Sequence, residues 1–154
     1  MINNNDVLRR IRFIFNFGDS KMIEIFSLAE HEVSRTQISD WLKKDDDPAC
    51  KELYDSQLAV FLNGLIIDKR GRKEGTLPKP EKRLNNNIIF RKLIIALNLK
   101  NDDVLEILEL VNMKISKHEL SAFFRDPKQN QYRSCKDQIL RNFLQGIQLK
   151  FNSK

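Results

Sequence analysis

The sequence predicts an all-α protein built from two copies of a four-helix unit of roughly 65 residues, joined by a basic connector. Two observations carry this prediction. Residues 3–65 and 85–147 align without a gap, and 15 of the 63 aligned positions are identical. Within each copy, apolar residues recur at the three- and four-residue spacing of amphipathic helices. We therefore expect a tandem duplication whose copies are related by an approximate twofold axis or a screw.

The first helix of each copy opens at a run of three asparagines, Asn3–Asn5 and Asn85–Asn87. Asparagine side chains suit this place because they accept hydrogen bonds from the free amides of a helix's first turn. The second version, Ile88 to Leu97, is apolar nearly all round, whereas the first has Arg12 on its polar face. We therefore expect the second version to lie at the interface between the copies.

The second helix is expected to begin at Asp19 or Ser20 in the first copy and at Asn101 in the second. A turn follows. The third helix then begins in both copies with a capping box, in which a Ser is followed three residues later by Gln or Glu. These pairs are Ser34 with Gln37 and Ser116 with Glu119.

The last helix of each copy carries a glycine within an apolar helical pattern, Gly64 in the first copy and Gly146 in the second. Glycine costs about 1 kcal/mol relative to alanine in a helix interior. Its recurrence after Phe-Leu favours a close crossing of two helices, with an end-of-helix role as the alternative. The large side chains expected in the core are Trp41, Phe61, Phe123 and Phe143.

These patterns divide the chain into a first repeat at 1–67, a connector at 68–83 and a second repeat at 84–154. The connector contains two glycines, two prolines and seven cations, and we expect it to be exposed and mobile. Its charge suits contact with phosphates, although a linker also needs charge to stay in solution.

Charge is distributed unevenly between these segments. The first repeat carries 8 Lys and Arg against 11 Asp and Glu, the connector 7 against 3, and the second repeat 12 against 7. A basic second half is typical of proteins that bind polyanions, but a solvated surface or attraction between the copies would give the same split. The candidate phosphate contacts are Arg70, Arg72, Lys73, Lys117, Arg125, Lys128, Arg133 and Arg141.

The second and third helices with their turn resemble a DNA-reading helix-turn-helix. On that interpretation the positions facing the groove are Arg35, Thr36, Gln37 and Ser39, and in the second copy Lys117, His118, Glu119 and Ser121. The usual turn glycine is absent, the turn is about two residues longer than the motif's three or four, and Glu119 is negative. A capped structural helix is the alternative interpretation.

The sequence contains no signature of catalysis, of a metal site or of a cofactor site. His31 and His118 are not duplicated, and the acidic run Asp45–Asp47 becomes Pro127, Lys128 and Gln129 in the second copy. We therefore expect no enzymatic activity, no metal and no cofactor. The non-equivalent Cys50 and Cys135 indicate reduced thiols. The absence of a membrane span and of a signal peptide predicts a cytoplasmic protein.

Several segments resemble the YehS-like family of short bacterial proteins of unknown function. They are the asparagine run, the stretch Phe61 to Ile67 leading into Lys69-Arg70-Gly71, and Ile107 to Leu110 before Ser116. The resemblance covers essentially the whole chain. It implies a cytoplasmic bacterial protein with a tandem helical repeat and no established activity.

Two hypotheses about function follow. In the first, the protein is a non-enzymatic helical module that contacts the phosphates of DNA or RNA through the connector and the second repeat. In the second, it is an adaptor that binds a protein partner or a second copy of itself, either through a groove between the copies or through the exposed part of the helix from Ile88 to Leu97. The charge split favours the first, and the lack of interleaved exposed aromatics for base stacking favours the second.

Overall fold

The computed structural model describes residues 2–73, 75 and 77–152, which contain helices and no strand. Glu74 and Thr76 of the predicted connector lie outside the described residues. The predicted all-α class is confirmed, with four helices in each repeat. In chain order they are α1 (Asn4–Phe15), α2 (Asp19–Leu28), α3 (Arg35–Leu42), α4 (Asp55–Arg70), α5 (Asn86–Ala96), α6 (Asn101–Glu109), α7 (Lys117–Ala122) and α8 (Asp137–Phe151).

The two repeats pack on each other through α4 against α5 and through α1 against α8. Exchanging the repeats turns the first of these pairs into the second, so the contact pattern is that of a pseudo-twofold axis. The apolar residues of both repeats form one continuous buried cluster. The predicted position of α5 at the interface is confirmed, and the repeats share one core.

Duplicated aspartates join the two repeats at this axis. The carboxylate of Asp55 in the first repeat accepts a hydrogen bond from the backbone N–H of Leu84 at 2.8 Å. Its counterpart Asp137 accepts one from the backbone N–H of Ile2, the residue equivalent to Leu84. In each repeat, the first residue of the last helix therefore binds the backbone just before the first helix of the other repeat.

The middle asparagines of the two runs orient these aspartates. Asn4 donates to the Oδ1 of Asp55 at 2.7 Å, and Asn86 donates to the Oδ1 of Asp137 at 2.7 Å. The preceding asparagines cap α1 and α5 by accepting from the backbone N–H three residues later. The predicted capping role is thus confirmed for the first asparagine of each run. The second asparagine of each run instead orients an aspartate at the interface between the repeats.

Both capping boxes are present, with the serine hydroxyl and the Gln or Glu side chain each bonded to the backbone of the other residue. The expected N-cap of α2 was wrong by one or two residues. Gly18 occupies that position and makes no side-chain cap. Asp19 is the first helical residue, where the helix dipole stabilises its negative charge.

The glycines of α4 and α8 allow close helix crossings, as predicted. A Cβ on Gly64 would collide with the backbone carbonyl of Ile25 in α2, and one on Gly146 would lie 2.5 Å from the carbonyl oxygen of Ile107 in α6. The two crossings are equivalent, because Ile107 is the counterpart of Ile25.

Rings fill the core of each repeat, and the four predicted core residues are all buried. In the first repeat Phe26 packs against Phe61, with ring centroids 5.2 Å apart. In the second repeat Phe90 packs against Phe143, the counterpart of Phe61, at 4.6 Å. Phe26 and Phe90 are not equivalent positions, so the two cores place their central ring on different helices.

The connector is attached to the helices more closely than its composition predicts. α4 continues through Arg70, the third residue of the predicted connector. Arg70 donates to the carbonyl of Ile95 at 2.9 Å, and Arg72 donates to the carbonyl of Leu28 at 2.9 Å. Further along, Glu81 pairs with Lys92 at 3.1 Å. Arg70, Arg72 and Lys73 are exposed, as expected of the connector, but Arg70 and Arg72 also bond to helix carbonyls.

Candidate functional site

The loop before the last helix is built in the same way in both repeats. In the first, Asn5 donates to the carbonyls of Trp41 and Lys51 and accepts from the N–H of Leu53. Asn87 makes the same three bonds to the equivalent residues Phe123, Arg133 and Cys135. Because the backbones match, the two loops can be compared residue by residue.

In the first repeat, two cations of this region, Arg9 and Lys43, are paired with carboxylates. Arg9 donates to Asp45 at 3.1 Å and to the carbonyl of Lys43 at 2.7 Å, and its guanidinium lies 3.8 Å from Asp6. Lys43 pairs with Asp40 at 2.6 Å. Hydrogen bonds from Asn3 first and from Arg9 next hold the pKa of Asp45 below its usual value. A hydrogen bond to Asp40 raises the pKa of Lys43.

The second repeat keeps both cations and loses all three carboxylates. Arg91 replaces Arg9 and Arg125 replaces Lys43. The three carboxylate positions, Asp6, Asp40 and Asp45, become Ile88, Ala122 and Pro127. Asp126 takes the place of Lys44, but its Oδ1 accepts from the backbone N–H of Lys128 at 2.9 Å within the loop. The region therefore changes from internally paired to basic.

Arg91 and Arg125 line a cleft of about 140 Å³ between the start of α5 and the loop before α8. Its walls are largely apolar and include Phe123, Phe124, Pro127 and Tyr132. The Nε of Arg125 is buried and finds no acceptor among the described residues. A buried N–H without a partner is costly. Because Arg91 and Arg125 both line the cleft, their positive charges would stabilise an anionic group there.

The other predicted phosphate contacts do not line this cleft, and two of them, Arg70 and Lys73, line a separate cleft of about 280 Å³. The side chain of Lys117 lies 3.1 Å from Asp102, and Arg133 donates to the carbonyls of Asn130 and Tyr132. Arg70 and Arg72 bind helix carbonyls, as described above. Lys73 and Lys128 are exposed, and Arg141 is half-buried on α8. Of the eight predicted residues, Arg125 lines the cleft, and Lys128 follows it on the same loop.

The predicted recognition helix is used in part for structure. Arg35, Thr36, Gln37 and Ser39 are all exposed on α3. The Oε1 of Gln37 accepts from the N–H of Ser34, and Arg35 pairs with Asp19 at 3.4 Å. Residues 29–34 separate α2 from α3, whereas a helix-turn-helix has a turn of about 3–4 residues. These contacts favour the capped structural helix.

Sequence reasoning missed Arg91. In the alignment it is one of the 15 identical positions, the counterpart of Arg9. The aligned sequences do contain a signal for this site. Three carboxylates of the first repeat are lost in the second, whereas the two cations that pair with them remain cations, as Arg91 and Arg125.

The buried thiol of Cys135 is in unreactive surroundings. Burial raises the pKa of the Cys135 thiol to about 12, so it stays protonated at neutral pH. Within residues 2–73, 75 and 77–152 no cluster of three or more His, Cys, Asp or Glu could hold a metal ion. In the same ranges no helix is both long enough and apolar enough to cross a bilayer.

Comparison with known proteins confirms the resemblance to YehS. The family model described as a protein of unknown function, DUF1456, matches residues 4–71 and 86–151, which correspond to the two repeats. The chain is 41% identical over 145 residues to the uncharacterized protein YehS of Escherichia coli (strain K12), covering 94% of this chain and 93% of that relative. No solved structure matches.

Proposed function

This chain belongs to the DUF1456 family, and we propose that it is a non-enzymatic binding module whose second repeat contacts the phosphates of a nucleic acid. The observation that carries the proposal is the pair of cations, Arg91 and Arg125, that persists where the carboxylates of the first repeat are lost. Lys128 adds a further exposed cation on the same loop. Uncompensated cations on one surface attract polyanions over a Debye length of about 8–10 Å.

The connector has a smaller role in this proposal than its sequence indicated. Arg70 and Arg72 each donate to a carbonyl near the C-terminal end of a helix, α5 and α2 respectively. Cations are favoured at such ends by the helix dipole. The second repeat, rather than the connector, is therefore the expected contact surface.

A salt series tests the proposal. Labelled duplex DNA and single-stranded RNA are titrated with the wild type and with Arg125→Gln/Lys128→Gln. Affinity should fall steeply with salt, with a log–log slope of about −0.9 per phosphate contact on duplex, and the variant's slope should be shallower by about one per lost contact. The matched control is Lys43→Gln/Lys44→Gln in the equivalent first-repeat loop, which should keep the wild-type slope. Absence of binding at low salt would refute the proposal.

An adaptor function is the second candidate, and exposed apolar side chains favour it. Phe13 on α1 is 59% exposed, and Leu149 and Phe151 at the end of α8 are 54% and 37% exposed. α1 and α8 pack together, so these residues belong to one pair of helices. Sedimentation of the wild type and of Phe13→Ser/Leu149→Ser tests self-association. A concentration-dependent dimer that the substitutions abolish would favour this candidate.

A further inference from the structure

We propose that the cleft between Arg91 and Arg125 binds one phosphomonoester, the terminal phosphate of a nucleic acid strand. The inference deepens the proposed function and rests on it, because it takes from that function the nucleic acid as the source of the phosphate. Four properties of the cleft lead to it: its donors, its size, its walls and its charge.

The donors suit an oxyanion. Arginine offers several N–H groups in a planar fork that matches phosphate oxygens. Arg91 and Arg125 both line the cleft, and the buried Nε of Arg125 has no acceptor among the described residues. In the first repeat the corresponding Arg9 donates to the carboxylate of Asp45, so an oxyanion already occupies the equivalent place there. A ligand phosphate would take the role of that carboxylate.

The size of the cleft limits what can enter it. Its volume is about 140 Å³, whereas pockets for whole small molecules measure about 300–1,000 Å³. It can therefore hold one anionic group, while the rest of the ligand stays outside. A phosphate at the end of a strand can enter with its free oxygens first, but an interior phosphodiester has chain on both sides.

The walls and the charge favour a dianion with an apolar neighbour. Two guanidinium groups match a terminal phosphate, which carries about −1.5 to −2 at neutral pH, better than an interior phosphodiester with a single charge. Phe123, Phe124 and Pro127 provide apolar surface beside the cations. The half-buried Tyr132 also lines the cleft, at the position of Cys50 in the first repeat.

The test uses three probes on the full chain: adenosine monophosphate, a single-stranded oligonucleotide with a 5′-phosphate, and the same oligonucleotide with a 5′-hydroxyl. The oligonucleotide with the phosphate should bind about tenfold tighter than its hydroxyl twin. Arg91→Gln or Arg125→Gln should each remove that difference and weaken monophosphate binding by about tenfold or more, because a charge-assisted bond is lost. Arg9→Gln, at the equivalent first-repeat position, should leave both quantities unchanged.

Arg125→Lys guards against a variant that merely fails to fold. It keeps the charge and loses the fork, so monophosphate binding should be intermediate between wild type and Arg125→Gln. All variants are compared by circular dichroism before binding is measured.

The outcomes separate this inference from the proposed function. Equal, salt-dependent binding of the two oligonucleotides overturns the inference and leaves the proposed function standing. Monophosphate binding that depends on both arginines, together with no binding of either oligonucleotide, overturns the proposed function. Monophosphate binding that is indifferent to Arg91 and Arg125 overturns the inference whatever the oligonucleotides do.

Discussion

Left-handed backbone occurs at duplicated positions outside glycine. Asn16 and its counterpart Asn98 have φ near 55°, and Glu30 and its counterpart Asn112 have φ near 60°. Asparagine tolerates this region, because its short side chain can bond locally, whereas a longer side chain pays a steric cost of about 1–2 kcal/mol. Glu30 is therefore the residue of this set that carries strain.

Substituting Glu30→Asn places the residue of the second repeat at the strained position of the first. We expect the free energy of unfolding to rise by about 1 kcal/mol, since Asn adopts φ near 60° more readily. Urea denaturation measures the change. Glu30→Gln, which removes the charge and keeps the long side chain, is the control, and an equal gain in both variants would assign the effect to charge.

At the residue scale, the sequence predicted a capping role for the asparagine runs but could not assign a separate role to each asparagine. Asn3, Asn4 and Asn5 are identical in chemistry, yet one caps a helix, one orients Asp55 and one fastens a loop. The last two roles depend on partners more than 35 residues away. Local rules for helix caps do not reach such partners.

At the scale of the helices, the two cores use the same two residue types but place them on different helices. The first repeat has Leu8 on α1 and Phe26 on α2, and the second has Phe90 and Leu108 at the equivalent places. All four side chains are fully buried. Each core thus contains one phenylalanine and one leucine at these two positions, and the two residue types are exchanged between the helices.

This exchange predicts a strong coupling in a double-mutant cycle. Phe26→Leu should destabilise the protein by about 2 kcal/mol through a cavity, and Leu8→Phe should destabilise it by about 2 kcal/mol through overpacking. The double variant reproduces the arrangement of the second repeat and should be more stable than the sum of the two losses by at least about 1 kcal/mol. Additive losses in thermal or urea unfolding would show that the two sites do not share space.

The sequence predicted the helices well because their signals are local: amphipathic spacing, capping boxes and a glycine at each crossing. The N-cap of α2 was misplaced because Asp19 and Ser20 are good caps by type, whereas the chain turns at Gly18. The contacts of Arg70 and Arg72 were missed for a different reason. Composition describes a basic connector but does not show which helix ends lie beside it.

At the scale of the whole molecule, the hydrogen bonds that Asp137 accepts make the pseudo-twofold interface sensitive to pH. Hydrogen bonding from Asn86 first, and then from the backbone N–H of Ile2, holds the pKa of Asp137 below its usual value. A carboxyl whose pKa is lower in the folded state adds stability above its unfolded pKa of about 3.9. That contribution is lost as pH falls through the lower folded value.

We therefore expect Asp137→Asn to lose stability at neutral pH and to lose less than the wild type when the pH is lowered below about 4. Urea unfolding at a series of pH values measures both changes. Asp46→Asn, in the exposed loop of the first repeat, should follow the wild-type curve. If Asp137→Asn is as sensitive to acid as the wild type, Asp137 does not contribute to the pH dependence of stability.

We propose that loss of carboxylates gives the second repeat an affinity for phosphates, and restoring one carboxylate tests this. Pro127→Asp supplies the counterpart of Asp45, which pairs with Arg9 at 3.1 Å in the first repeat. The measurement is the affinity of the variant for labelled duplex DNA at low salt, beside Pro127→Asn as the neutral control. We predict that Pro127→Asp binds about tenfold or more weakly than Pro127→Asn, because only the aspartate adds a negative charge beside Arg91 and Arg125. Equal affinity of the two variants would contradict this proposal.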